Sequence, residues 1–289
     1  MNVNPDKSER IVRQFGRPLF YCFVFAVPLL LIAAPFASFL AISVGEVKGS
    51  DIVMSLTLKN FVRIVEDPLY FQVVWKTISL CLGVSIVTTC LGYPIAYLIA
   101  ISTHSIRYAL ICIFSIPLLM NYVIKIYAMR SILGGSGVLN KFLEIIGISG
   151  LSNLFVFNLN AVFLVLASIL LPFAIFPIFI ALERIPNSLL HAAADLGASR
   201  FFTFTRIILP LSMPGVAVAF SFTFVLAIGD FITPQMVGGP TGFTLGRVIY
   251  SQFGLAFNWP FGAALSIVLM TIVMVTIALT VFVTPRRAR

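Results

Sequence analysis

Polar and apolar positions alternate on a coarse scale along this chain. Six long apolar runs, at about 19–43, 71–101, 107–128, 159–182, 211–229 and 260–283, are separated by shorter polar stretches. Crossing the hydrocarbon core of a bilayer takes about 20 apolar residues of helix. Backbone N–H and C=O groups find no water there, so runs of this length are helices rather than strands. The pattern predicts an all-α polytopic membrane protein with six transmembrane helices. One domain is expected over 19–283, between a tail at 1–18 and another at 284–289. Arg10, Arg13 and Arg17 precede the first run as they would in a secretory signal. Signal apolar regions hold about 7–15 residues, and this longer run reads as a retained helix.

Composition agrees. Of 289 residues, 60% are apolar and 10% charged, and mean hydropathy is +1.07. A soluble domain carries about 25% charged residues, so too few are present to solvate a globular surface. The 28 Phe exclude a disordered chain. Cys22, Cys81, Cys90 and Cys112 lie within apolar runs without CxxC spacing. They read as small core residues, neither a disulfide framework nor a metal site.

The net charge of +9 would suggest nucleic acid in a soluble protein. Here the charges lie between spans and report orientation instead. Six spans put both termini on one side, which collects eleven Lys/Arg against four acids, net +7. The opposite side holds eight against six, net +2. The positive-inside rule then places both termini in the cytoplasm. On the outside fall loops 44–70, 129–158 and 230–259, with an interfacial helix expected at 137–147; on the inside, 102–106 is tight and 183–210 long.

That long inner stretch reads ERIPNSLLHAAADLGASRFFTFTRIILP. Asn187 or Ser188 is placed to cap a helix, and Leu189, Leu190, Ala192, Ala193 and Leu196 give it a small apolar face. Gly197 is placed to end it in a left-handed conformation, where a Cβ would clash. Ala198 to Leu209 resume a helical period up to Pro210. Two short surface helices at an angle are expected. Membrane-floating helices favour bulky and basic residues; three consecutive alanines suit close docking into a protein groove.

The run Ala192-Ala193-Ala194-Asp195-Leu196-Gly197-Ala198-Ser199, followed by Leu209-Pro210, resembles the EAA loop of ABC importer permeases. SLTLKNFVRIVEDPLY (55–70), GYPIAYLIA (92–100), IPLLMNYVIKIYAM (116–129), LPFAIFPIFIALERIP (171–186), GDFITPQMVGGP (229–240) and FNWPFGAALSIVL (257–269) are similar to spermidine/putrescine-type permease subunits. The resemblance covers nearly the whole chain. It implies the ABC importer permease fold with a cytoplasmic coupling helix, and a non-catalytic subunit of an ATP-driven importer in the inner membrane. Its implied partners are an ABC ATPase dimer, which would bind ATP and Mg, a second similar permease chain and a periplasmic substrate-binding protein. The carried solute would be a polyamine, although such permeases also serve opines, phosphonates or iron chelates. In the family the coupling positions correspond to Leu189, Leu190, His191, Ala192, Ala193, Asp195, Gly197, Ala198, Leu209 and Pro210. Three positions depart from the family pattern. His191 stands where Glu is usual, leaving Asp195 the only carboxylate in the docking segment; Lys125 replaces a common Arg and Met129 a common Trp.

No G-x-x-x-x-G-K-[ST] occurs, so a P-loop ATPase is not expected within this chain. The Gly134-Gly135-Ser136-Gly137 cluster reads as an external loop. His104 and His191 are the two histidines and both fall in inner loops, so no catalytic or metal-ligand set is expected. A secondary transporter driven by an ion gradient is the rival reading. It would place ionisable groups deep in the spans and show inverted repeats; neither is evident. Pathway candidates are the polar residues within or at the edge of spans. Asn121 and Lys125 share a helical face, with Tyr122 beside them; Lys125 either faces the pathway or snorkels to the interface. Tyr93 and Tyr97 flank Pro94, either lining the pathway or packing in the core. Asp230 opens a Gly- and Pro-rich segment suited to a gate. Its carboxylate either meets a cationic substrate or pairs with Lys125 or Arg247.

Overall fold

The computed structural model describes residues 5–48, 51–53, 55–135, 137–146 and 157–283; the expected tail at 284–289 lies outside them. Helix α1 (Pro5–Ser43) runs into a short antiparallel hairpin, β1 (Glu46–Lys48) and β2 (Asp51–Val53), which the apolar pattern does not announce. Helix α2 (Lys59–Glu66) lies beside it. Asn60 Nδ2 donates to the carbonyls of Ser43 and Gly45, 2.9 Å each, pinning α2 to the end of α1. Helix α3 (Pro68–Ile101) follows, with Asp67 capping it by accepting from Leu69 N at 3.0 Å. Pro94 lies inside α3 without ending it.

The third expected span is broken. Helix α4 (His104–Leu119) stops at Met120, whose backbone is extended, and α5 (Tyr122–Leu133) restarts after a bend of 98°. Asn121 is the cap of the new helix, accepting from Val123 N at 2.9 Å and Ile124 N at 3.4 Å. At about 1.5 Å per residue, α4 is too short to cross a bilayer alone. Among the described residues five single helices are long and apolar enough to span, and the bent pair, counted as one broken span, brings the number to six. Helix α6 (Val138–Ile145) occupies the expected interfacial stretch, after a turn closed by Gly137 N donating to Gly134 O at 2.7 Å.

Helix α7 (Leu159–Glu183), α8 (Asn187–Asp195), α9 (Arg200–Thr203), a π-helical turn (Phe204–Ile208) and α10 (Leu209–Ile228) come next. Helix α9, the π turn and α10 form one rod from Arg200 to Ile228, so the second short surface helix is the start of the fifth span. Pro210 does not stop it. A proline presses against the carbonyl four residues back and leaves it without a donor. The π turn just before it, with Leu209 N reaching Phe204 O, sets that strain aside. Helices α11 (Ile232–Val237), α12 (Leu245–Gly254) and α13 (Trp259–Val283) complete the chain.

The core is built from α3, α7 and α10. Val84, Val162, Leu166 and Phe224 fill its half near α11, and Ile99, Ile175, Ile178 and Ala219 its half near α8. Contact is close because small residues face each other. A Cβ on Gly215 of α10 would collide with Ala181 Cβ and Pro177 O of α7. Small residues of this kind let spanning helices approach where lipid gives no hydrophobic drive. Buried hydroxyls return to their own helices, Thr77 to Val73 O, Ser85 to Cys81 O and Thr223 to Ala219 O; Thr89 Oγ1 is buried without a partner among the described residues. Cys81 is buried, but Cys90 and Cys112 are exposed on the bundle surface rather than in the core. Helices α1 and α13 pack on the outside, leaving broad apolar faces for lipid or other chains.

Candidate functional site

Two places on the bundle carry unusual chemistry. The first is an elbow formed by α8 and the start of α9. Neither Asn187 nor Ser188 caps α8; Pro186 occupies the cap position without a side-chain bond, and Asn187 is already helical. The side-chain cap comes one helix later, where Ser199 Oγ accepts from Phe202 N at 3.2 Å. Between them Gly197 adopts φ +73°. Ala198 N donates to Ala193 O and Gly197 N to Ala194 O, 2.9 Å each, closing a Schellman turn.

The expected single apolar face of α8 is divided. Leu190 and buried Ala193 turn inward, Leu190 packing on the cluster of Ile178 and Leu182. Leu189, Ala192 and Leu196, spaced i, i+3 and i+7, turn outward, and Leu196 is 88% exposed. Phe201 and Phe202 extend this bare apolar tip, 77% and 52% exposed. His191 and Asp195 are exposed, Ala198 is half-buried, and Leu209 and Pro210 sit in the rod beyond the elbow. Leu196 was expected on the apolar face though not among the coupling positions, whereas Phe201 and Phe202 were missed; their signal was two adjacent Phe in a loop-like stretch. Next to the elbow Arg107 ties α4 to the ends of α3 and α7, donating to Ala100 O at 2.7 Å and meeting Glu183 at 3.3 Å. An open groove of about 500 Å³ lies beside it, walled by Pro177, Ala181, Leu211 and Pro214 with Arg184 at its mouth.

The second place is a polar knot at the opposite end. Asp230 Oδ1 accepts from Ile232 N at 2.9 Å and Thr233 N at 3.2 Å, capping α11. Its Oδ2 accepts from the Tyr122 hydroxyl at 2.7 Å, which also lies 3.0 Å from Thr233 Oγ1. Neither expected cation reaches it. Lys125 Nζ folds back onto Pro117 O at 3.0 Å, across the break in the third span. Arg247 Nη1 donates to Gly239 O at 2.8 Å, and its guanidinium stacks over Phe243 at 4.5 Å. Asp230 therefore holds a carboxylate with three donors and no neutralising cation among the described residues. Phe231 stacks on Tyr250, centroids 4.8 Å apart, beside it.

The six pathway candidates thus divide. Tyr122 and Asp230 bond directly, with Asn121 and Lys125 on the same broken span. Tyr93 and Tyr97 pack instead at the elbow end, against Phe204. Among the described residues no three His, Cys, Asp or Glu side chains are grouped to hold a metal.

The family model described as binding-protein-dependent transport system inner membrane component matches residues 7–289. The spermidine/putrescine transport system permease protein PotB of Escherichia coli K12 is 37% identical over 252 residues, 87% of this chain and 88% of that one. Its namesake in Haemophilus influenzae is 34% identical over 275 residues, 95% of this chain and 94% of that one. Among solved structures, the fold is similar to a chain of the bacterial alginate ABC transporter in complex with alginate pentasaccharide-bound periplasmic protein. That match has a TM-score of 0.74 at 19% identity and covers 97% of this chain and 99% of the other.

Proposed function

The chain belongs to the family of binding-protein-dependent transport inner membrane components and is a permease subunit of an ABC importer, and from that premise we propose that it carries polyamines and is driven from the cytoplasmic side through its elbow. Elongated cations of the spermidine/putrescine class match the solute in the names of relatives that cover most of the chain. The bare apolar tip carries the second part of the proposal. A protein that leaves Leu196, Phe201 and Phe202 this exposed reserves them for a partner. The tip has the shape of a knob, small along Leu189, Ala192 and Leu196 and bulky at the two Phe. An ATPase subunit receives it in a groove, and ATP and Mg are bound there rather than by this chain. Both termini then lie in the cytoplasm with the elbow, and the polar knot faces the periplasm.

The transport step is mechanical. Two ATPase subunits closing on ATP draw two elbows together. Packed helices rearrange between discrete arrangements rather than deforming smoothly, so the bundles switch access from one face to the other. The groove walled by Pro177 and Pro214 is open on one side, and a second permease chain of similar fold closes it. A periplasmic binding protein delivers solute to the end bearing α2, α11 and α12. There the unneutralised Asp230 carboxylate and the rings of Tyr122, Phe231 and Tyr250 offer charge and π faces to an ammonium group. Uptake of labelled spermidine by vesicles holding the full complex tests the solute. Competition by putrescine supports it; uptake of an anionic solute with none of spermidine contradicts it.

A further inference from the structure

Three aromatic rings tie α3 to the start of the α9–α10 rod. Tyr93 and Tyr97, one helical turn apart, both meet the ring of Phe204 edge-on, with centroids 6.0 and 5.5 Å away. Tyr93 reaches further along the rod, its hydroxyl lying 2.9 Å from Ser212 Oγ. Phe204 is the first residue of the π turn, and Ser212 lies beyond its last, Ile208. Side chains of one helix therefore grip the other on both sides of its irregular turn.

That placement matters because of what a π turn is. It holds one residue more than the α-helix around it, and such bulges recur at functional sites. Rewinding it to α geometry shifts one side against the other by a residue, about 1.5 Å along the axis and ~100° around it. A joint of this kind, placed directly after the elbow, absorbs the elbow's displacement unless both of its ends are held. Pro210 accounts for the turn itself but not for the two tyrosine rings gathered on its first residue.

Resting on the permease reading above, we propose that Phe204, clamped by Tyr93 and Tyr97 and braced by the Tyr93–Ser212 bond, is a positioning residue of the transport cycle. It holds the π register so that movement of α8 carries α3 and α10 together. Without the clamp the rod slips at Phe204–Ile208, and ATP is hydrolysed without solute moving.

The test uses the full complex in vesicles, reading ATP hydrolysed per labelled spermidine taken up. Phe204→Ala raises this ratio about tenfold while the ATPase still co-purifies, and Phe204→Tyr, which keeps the ring, restores it to within twofold of wild type. A ratio unchanged in Phe204→Ala overturns the proposal, as does an equal fall of uptake and hydrolysis, the mark of mere structural damage. Should Phe204→Ala fail to assemble, Tyr93→Phe removes one side of the Tyr93–Ser212 bond, and Ser212→Ala removes its other side together with Ser212's own bond to Leu209 O. Both are expected to raise the ratio about threefold, and no change in either overturns the proposal. A substrate-free reading separates this proposal from the choice of solute. With spin labels at Ser102→Cys and Arg206→Cys in a chain whose native Cys are Ser, the distance holds constant on ATP addition. It broadens once Phe204→Ala is added. Independent movement in the otherwise unaltered chain overturns the clamp, whereas absence of any ATP-dependent uptake in wild type overturns the permease reading itself.

Discussion

Gly197 sets the direction in which α8 leaves the rod, and substituting it isolates a backbone effect. Its φ is +73°, and a Cβ built there meets nothing within 4 Å. Alanine is therefore penalised for conformation alone, about 1–2 kcal/mol for an L residue in the left-handed region. A tenfold change in an equilibrium corresponds to about 1.4 kcal/mol. Gly197→Ala should thus weaken ATPase binding by roughly 5- to 30-fold without unfolding the bundle. Asn tolerates this region better than other side chains, so Gly197→Asn should lie between Ala and Gly. Proline is different in kind: its ring fixes φ near −65° and it has no N–H for the bond to Ala194 O. Gly197→Pro should redirect α8, leaving no coupled uptake. Titrating purified permease with the ATPase subunit, followed by ATP-driven uptake in vesicles, reads all three. Equal affinity for Ala and Gly would refute the conformational reasoning, and coupled uptake with Pro would refute the docking role of the elbow.

Other variants probe separate parts. Leu196→Asp should leave the melting temperature of the isolated permease unchanged, because the side chain is 88% exposed, yet abolish ATPase co-purification; retained binding would exclude the apolar tip from the interface. Asp230→Asn keeps a carbonyl to cap α11 but removes the charge, and spermidine uptake should fall at least about tenfold with the complex intact; unchanged uptake would remove Asp230 from solute recognition. Tyr122→Phe strips a donor from the half-buried Asp230 carboxylate and should lower stability by about 1–3 kcal/mol, seen as a lower melting temperature in detergent. Gly215→Ala drives a methyl into Ala181 and the Pro177 carbonyl, which should cost about 1–3 kcal/mol by the same assay.

Span number and the elbow's Gly197 were legible because each leaves a strong local mark: apolar length in one case, a residue free to take positive φ in the other. Breaks within apolar runs leave almost none. The third run reads as one helix because Asn121 is a single polar residue in it, and a cap differs from a pathway asparagine only by which N–H groups it receives. Pro210 pointed the wrong way for a similar reason. Alone it signals a helix end, and only the backbone winding at Phe204–Ile208 shows how the helix passes it. Asp230 was recognisable as exceptional, but its partner was not. Tyr122 lies 108 positions away, and the choice among Tyr122, Lys125 and Arg247 depends on how α5 and α11 meet after the 98° bend. The division of α8 into an inward and an outward stripe likewise required knowing where α7 ends and α8 begins to pack.

Vesicles reconstituted with the permease pair, with and without the ATPase subunit, test most directly whether this chain is moved from the elbow. Solute should accumulate inside only when the ATPase and ATP are both present, whatever proton or sodium gradient is imposed. Accumulation driven by such a gradient in vesicles lacking the ATPase would contradict the account.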